Sequence, residues 1–429
     1  MASLDLGSTK TRVLVAELLP LGENAGANGN SNSAIAAGAA PSVPGGSIAG
    51  ESSQLRFLGF GEADSQGWNR GTIASLDQVV GSIQQAVTEA EDAAGVPVES
   101  AIVGVGGPCI QGASGRGSLR LSSRARDVTQ EDVWRVMETV RPLRLPEDRE
   151  ILHVVPQEFS VDSELGIHDP VGMKGLHLEV QAHIVSASVT ANQNVVTAAN
   201  RAGLLVEAVV LEVLAASEGL LAPEERELGA LVVDIGGGSC ELAAYHQGSL
   251  RMSAGVVVGG DHFTSDVAVG LHTPLPEAEK IKKMFGSVLA DWSHEGTSIE
   301  VPSLGDRPSR FMAHRRLSEI LEPRAQELLG LALDELRRYD LDRQLGAGVI
   351  LSGGGARLNG MCDLAEQIFD CPARLGLPPK IAGLPASLDQ LDYTTLVGLL
   401  LYGQKVRRLR EVQNQSWGGR LRSLLAGKK

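Results

Sequence analysis

Leu4-Asp5-Leu6-Gly7-Ser8-Thr9-Lys10 returns far down the chain as Val232-Val233-Asp234-Ile235-Gly236-Gly237-Gly238-Ser239, and more loosely as Val349-Ile350-Leu351-Ser352-Gly353-Gly354-Gly355-Ala356. Each stretch is a short apolar strand that runs into glycine. Glycine lets the backbone turn tightly and brings its N–H groups close to a phosphate. Ser8, Thr9 and Ser239 add hydroxyl donors, and Lys10 follows the first turn. Asp5 and Asp234 stand two residues before their turns, where a carboxylate can hold Mg²⁺, through water, beside phosphate oxygens. One Asp-x-Gly-Ser corner is a common hairpin turn. Two of them, each behind an apolar strand and followed by a third glycine corner, specify two hairpins that clamp a triphosphate from opposite sides. None of the three fits the P-loop or the dinucleotide-binding glycine pattern.

The surrounding chain alternates short buried strands with helices, which predicts α/β layers. Helical patterns cover 76–94, stopped by Gly95 and Pro97, and also 128–140, 195–201, 277–283 and 317–339. Thr129 is placed to cap the second of these, with acids in its first turn. Strand patterns cover 101–105, 153–161 and 176–184. Residues 22–53 contain 7 Gly, 8 Ala, 6 Ser and 4 Asn, so 25 of 32 positions cannot build a core. They are expected to form a flexible loop between two strands rather than a domain linker.

The 429 residues allow two to four domains, and 43% hydrophobic content is enough for real cores. A net charge of −14 argues against a general nucleic-acid binder. The four cysteines form no C-x-x-C pair, which argues against a zinc site or disulfide framework and for a reducing compartment. The first residues lack a basic segment followed by an apolar one, so no signal peptide is expected. No window reaches 18 apolar residues; the apolar run at 396–402 reads as a buried helix.

The end of the chain departs from this acidic body. Residues 405–429 carry eight basic side chains and one acid, a local charge of +7. Trp417, Leu421, Leu424 and Leu425 share one helical face, flanked by Arg420, Arg422 and Lys428. That is the pattern of a helix lying in an anionic membrane interface. Each buried Leu would contribute roughly 1.5–3 kcal/mol and each basic residue about 1 kcal/mol, against an ordering cost of about 1–2 kcal/mol per residue. One tail would bind weakly, and many together by avidity.

The paired glycine hairpins resemble those of the actin-like ATPase superfamily. The resemblance implies an actin-like (ribonuclease H-like) two-domain fold. ATP would lie between two related domains, its phosphates on the two hairpins and its adenosine on the late Gly353-Gly354-Gly355 corner. Glu279-Lys280-Ile281-Lys282-Lys283, following Gly259-Gly260-Asp261, resembles the superfamily's adenosine-contacting helix. Gly260, Glu279 and Lys282 would then contact the nucleoside, the Glu at the ribose and the Lys on the adenine side. Leu211-Glu212-Val213-Leu214-Ala215-Ala216 is similar to the connecting helix of the DnaK-type chaperones, where the Glu helps orient the attacking water. That makes Glu212 the catalytic candidate.

Longer phrases resemble the FtsA family of bacterial division proteins: Val128-Thr129-Gln130-Glu131-Asp132-Val133, Leu152-His153-Val154-Val155-Pro156-Gln157-Glu158-Phe159, Asp169-Pro170-Val171-Gly172-Met173, Glu225-Arg226-Glu227-Leu228-Gly229, Glu300-Val301-Pro302-Ser303-Leu304-Gly305 and Leu321-Glu322-Pro323-Arg324. The family carries an inserted subdomain, 1C, and a C-terminal amphipathic helix. The implied organisation is 1A at 1–97, 183–228 and 386–411, 1C at 98–182, 2A at 229–267 and 347–385, 2B at 268–346, and a linker with the membrane helix at 412–429. The resemblance further implies ATP and Mg²⁺ as cofactors, with hydrolysis slow or doubtful, and polymerisation into actin-like filaments. It implies a peripheral location at the division site, on the cytoplasmic face of the bacterial inner membrane. Arg324 matches a position that contacts the C-terminal tail of the tubulin-like FtsZ, and Arg310 a position of self-interaction. Other division proteins would dock through 1C. A pilus-assembly scaffold of the same fold and a sugar-kinase-like phosphotransferase remain as alternatives. The family has only a short turn where this chain has 22–53, so the resemblance assigns that segment no role.

Overall fold

The structure is a computed structural model that describes residues 1–19, 55–69, 71–142, 145–292, 298–305 and 307–408. The segment 22–53 and the terminal helix expected at 412–429, with Trp417, Arg420, Leu421, Arg422, Leu424, Leu425 and Lys428, lie outside the described residues.

Two sheets share one topology. The first runs Leu205–Leu211, Ser100–Val105, Ala2–Leu6, Lys10–Leu18, Leu55–Asp64. Its last three strands form an antiparallel meander, and the first two add to it in parallel. Half of the second sheet repeats the scheme: Ala230–Ile235, Cys240–His246 and Ser249–Val256 are antiparallel, with Gly348–Ser352 and Ala373–Leu375 added in parallel. Asp5 and Asp234 therefore occupy equivalent positions, each near the end of the central strand of its sheet. Parallel pairing buries both faces of those strands, and Leu4, Leu231, Val232 and Val233 are fully buried.

An inserted module leaves the first domain after Ser100–Val105. Its strands Ile110–Arg120, Arg149–Val161, Glu164–Ile167 and His177–Ser188 extend the second sheet through the pair Ala254↔Gln111. The module thus begins beyond 98: Ser100–Val105 pairs with Ala2–Leu6 and belongs to the first sheet. A separate core around Val136, Leu178 and Ala182 supports the module. Its helix Gln130–Thr139 starts on the expected cap: Thr129 Oγ1 accepts from Asp132 N–H, and the Asp132 carboxylate accepts from Thr129 N–H at 2.9 Å. The helix read at 195–201 begins six residues earlier, as Val189–Arg201, because Ser188 caps it. The helix read at 317–339 is His314–Arg338.

Leu76–Ala94 stops at Gly95, which takes the left-handed conformation. The helix lies almost on the backbone of Leu55–Asp64: a Cβ at Gly61 would sit 2.0 Å from the Ala86 carbonyl oxygen. Gly81 is on the outer face of the same helix, where an added Cβ meets nothing within 4 Å. Gly61→Val is expected to lower stability by about 3 kcal/mol in chemical denaturation. Gly81→Ala is expected to leave it unchanged or raise it by about 1 kcal/mol.

Candidate functional site

The two hairpins touch. Gly238 N–H donates to Ser8 Oγ at 2.8 Å. A Cβ at Gly237 would fall 2.1 Å from Thr9 Oγ1, and one at Gly238 would fall 2.9 Å from the Gly71 nitrogen. Only bare backbone permits that approach, and it leaves a cradle of peptide groups at the cleft. The third corner locks onto the second: Gly353 has φ +78°, and a Cβ there would lie 2.5 Å from Asp234 Oδ1.

Gly7, Ser8, Glu212, Asp234, Gly236, Gly237, Gly238 and Ser239 line one cavity of about 310 Å³, together with Trp68, Gly106, Ser188 and Glu241. Asp5, Thr9, Lys10, Gly260, Glu279, Lys282, Gly353, Gly354 and Gly355 do not line it. Lys10 is held by Glu62 at 2.9 Å and Asp64 at 2.8 Å. Gly260, Glu279 and Lys282 gather into one cluster. The buried Lys282 ammonium donates to the Gly260 carbonyl at 2.9 Å and pairs with Glu279 at 2.6 Å. This cluster hangs on the second hairpin, since Gly260 N–H donates to the Gly236 carbonyl at 2.9 Å.

Glu241 was not legible as a site residue in the sequence. It lies in the otherwise apolar strand Cys240–His246, where a single buried acid is itself the signal. Its carboxylate crosses to the other domain: Oε1 accepts from Gly107 N–H at 2.7 Å, and Oε2 from Val213 N–H at 3.1 Å. The second contact caps the helix Glu212–Leu220 at its positive end.

Four buried carboxyl groups therefore converge on the cleft. Burial raises Asp5 to about 6, opposed by Arg12 and reinforced by Asp234. Burial, with Asp234 beside it, raises Glu241 to about 7. Glu212 is pushed well above the usual carboxylate range by burial and then by Glu241 and Asp5. Asp234 is raised by burial, although a hydrogen bond from Thr395 opposes the shift. Among the described residues no cluster of three or more His, Cys, Asp or Glu could hold a metal directly.

Arg324 is engaged within the chain. Its guanidinium pairs with Asp266 at 2.6 and 3.1 Å, and with Glu327. Arg310 donates to the Leu271 carbonyl and precedes Phe311, which is 74% exposed.

Duplicated sheets, touching glycine hairpins and a glycine corner behind the second Asp define an actin-like protein. Solved structures share the fold. The PilM-PilN type IV pilus biogenesis complex aligns with TM-score 0.61 at 15% identity, over 94% of this chain and 98% of the other. MreB5 of Spiroplasma citri bound to ADP aligns with TM-score 0.52 at 14% identity, over 96% and 98%. Sequence decides the family. The model described as "Cell division protein FtsA" matches residues 231–398, and "SHS2 domain inserted in FTSA" matches 107–186. The cell division protein FtsA of Pseudomonas aeruginosa is 38% identical over 350 residues, covering 82% of this chain and 84% of the relative. That of Escherichia coli (strain K12) is 33% identical over 412 residues, covering 94% and 90%. The chain belongs to the FtsA family of cell division proteins and has an actin-like role in division.

The carboxyl cluster makes stability depend on pH. Folding raises the pKa of Glu241, so the folded state binds more protons than the unfolded state between about pH 4 and 7. Its contribution is present below that window and is lost as pH rises through it. Other groups titrate as well, so the difference between Glu241→Gln and the parent isolates this one. That difference in unfolding free energy is expected to move in favour of the variant as pH rises from 4.5 to 7.5.

Proposed function

We propose that this chain binds Mg²⁺·ATP in the cleft, assembles with itself, and ties FtsZ to the inner face of the cytoplasmic membrane at the division site. The observation that carries the reading is the Ser8–Gly238 contact above four buried carboxyl groups, in a chain of the FtsA family. A cradle that any Cβ would fill suits phosphate oxygens. The raised carboxyl groups are negative charge without enough compensation, and a divalent cation would relieve it. Asp5 and Asp234 would hold Mg²⁺ through water, and the cation would supply charge neutralisation at the phosphates. Gly353, Gly354 and Gly355 with Glu279 and Lys282 would receive the nucleoside. Glu212 heads its helix at the cavity wall, where a carboxylate can orient water. MreB5 of Spiroplasma citri bound to ADP has this fold.

The partner surfaces follow the module boundaries, with 1C beginning at about Gly107 and 2B at 268–346. Arg324 would exchange its Asp266 partner for acidic groups of the FtsZ tail, an apt task for a planar fork. Arg310 and the exposed Phe311 would contact a neighbouring copy, and 1C would receive other division proteins. The basic terminal segment would provide the membrane tether. Among the described residues no helix is long and apolar enough to cross a membrane.

One co-sedimentation experiment separates these roles, using phosphatidylethanolamine–phosphatidylglycerol vesicles, the full chain, Mg²⁺·ATP and a peptide of the FtsZ C-terminal tail. The parent chain is expected to carry both nucleotide and peptide into the pellet. Gly353→Val should lose nucleotide, Arg324→Glu should lose peptide alone, and deletion of 416–429 should leave everything in the supernatant. Unchanged ATP binding in Gly353→Val would contradict the nucleotide site.

A further inference from the structure

The helix occupying residues 394–408 touches both domains and the inserted module. In its first turn, Thr395 Oγ1 donates to Asp234 Oδ2 at 2.7 Å, which reaches the second phosphate hairpin. At its middle it lies on the helix that begins with Glu212: a Cβ at Gly398 would fall 2.2 Å from the Ala215 carbonyl oxygen. Farther along, the Tyr402 hydroxyl meets His153 Nδ1, on the inserted module, at 3.5 Å. His153 is buried and its pKa falls to about 3, so the ring is neutral. Its Nε2 accepts from Leu211 N–H at 2.9 Å, so the ring proton is on Nδ1 and points to Tyr402. Lys405 and Arg407 then pair with Glu218 and Glu207 of the first domain. The chain continues from this helix directly into the basic terminal segment.

We propose that Thr395 is a positioning residue for Asp234, and that their hydrogen bond couples occupancy of the cleft to the helix 394–408. The proposal rests on the nucleotide reading above. Asp234 takes a hydrogen bond from Thr395, has the Ser352 hydroxyl beside it, and would meet one incoming claimant, the water shell of a phosphate-bound cation. Thr395 fixes the orientation of the Asp234 carboxyl group at the cleft. When the cation binds, the carboxylate redistributes its acceptor capacity, and the first turn of the helix loses or shortens its tie. A ligand shifts such an equilibrium only by its different affinity for the two arrangements, and the coupling is reciprocal. Whatever restrains the far end of the helix therefore changes Mg²⁺·ATP affinity.

The test uses the full chain with Thr395→Val, which keeps the shape and removes the hydroxyl, and Thr395→Ser, which restores it. ATP affinity is measured with Mg²⁺ and with EDTA, and amide exchange of 396–408 is followed with and without Mg²⁺·ATP. The parent is expected to bind Mg²⁺·ATP and to change its exchange in 396–408 at least fivefold. Thr395→Val should lose that response and about tenfold in Mg²⁺·ATP affinity, while its affinity in EDTA stays within twofold. Thr395→Ser should recover both. Should Thr395→Val not fold, Thr395→Ala carries the same comparison. The proposal is overturned if Thr395→Val matches the parent, or if Ser and Val are equally impaired, which would make the role one of packing. A parent that binds no ATP would show the nucleotide reading itself to be wrong, and this inference would fall with it. Tight ATP binding without any change in 396–408 would refute the coupling alone.

Discussion

Glu241 is the hinge on which the arrangement of this molecule depends. It belongs to the second domain, yet its oxygens are satisfied by backbone N–H groups outside it, Val213 of the first domain and Gly107 at the root of the inserted module. A buried carboxylate without such donors would cost several kcal/mol, so the two domains are held where those donors can reach it. The space is tight. A Cβ at Gly106 would fall 1.6 Å from Glu241 Oε1, and one at Gly255 would fall 2.1 Å from the Gly107 carbonyl oxygen. The clasp brings Ser8 to Gly238 and sets Glu212 at the head of a capped helix. It also brings Asp234 close enough to raise Asp5 and Glu241, and all three close enough to raise Glu212. The cleft is thus both the junction of the domains and a concentrated negative site.

Duplication explains why one rule builds both halves. An antiparallel meander followed by two parallel strands leaves the central strand paired on both sides, and its end opens into a glycine turn. Each domain supplies one such end, and close packing of bare backbone joins them. The inserted module extends the second sheet while remaining covalently part of the first domain. Its rigid attachment therefore also depends on the clasp at Gly107.

Much of this was legible in the sequence because it rests on local rules. Apolar runs into glycine gave the strand ends, Thr129 and Gly95 marked helix ends, and the repeated Asp-x-Gly placed two equivalent corners. The family followed from longer phrases. What escaped is long-range. Glu241 is one acid in a strand, and nothing local says that it faces another domain 134 residues away, at Gly107. Nothing local to Arg324 showed that Asp266, on another helix, pairs with it. Nor did Lys10 reveal that the neighbouring strand supplies Glu62 and Asp64 as its partners. Ser100–Val105 read as the start of the insertion, but it pairs with Ala2–Leu6. In each case a partner distant in sequence decides.

Charge is distributed in the same spirit. The terminal 405–429 carries +7 and the remainder −21, so the acidic body and the basic end face an anionic surface differently. The central claim concerns the cleft: carboxyl groups raised by burial and by neighbouring carboxylates, which would ionise around a bound cation. Calorimetric titration of the full chain with Mg²⁺·ATP at pH 6.5, in two buffers of different ionisation enthalpy, tests it most directly. The account predicts net release of about one proton on binding, reduced in Glu241→Gln. Tight binding with the same apparent enthalpy in both buffers, and hence no proton released, would contradict it.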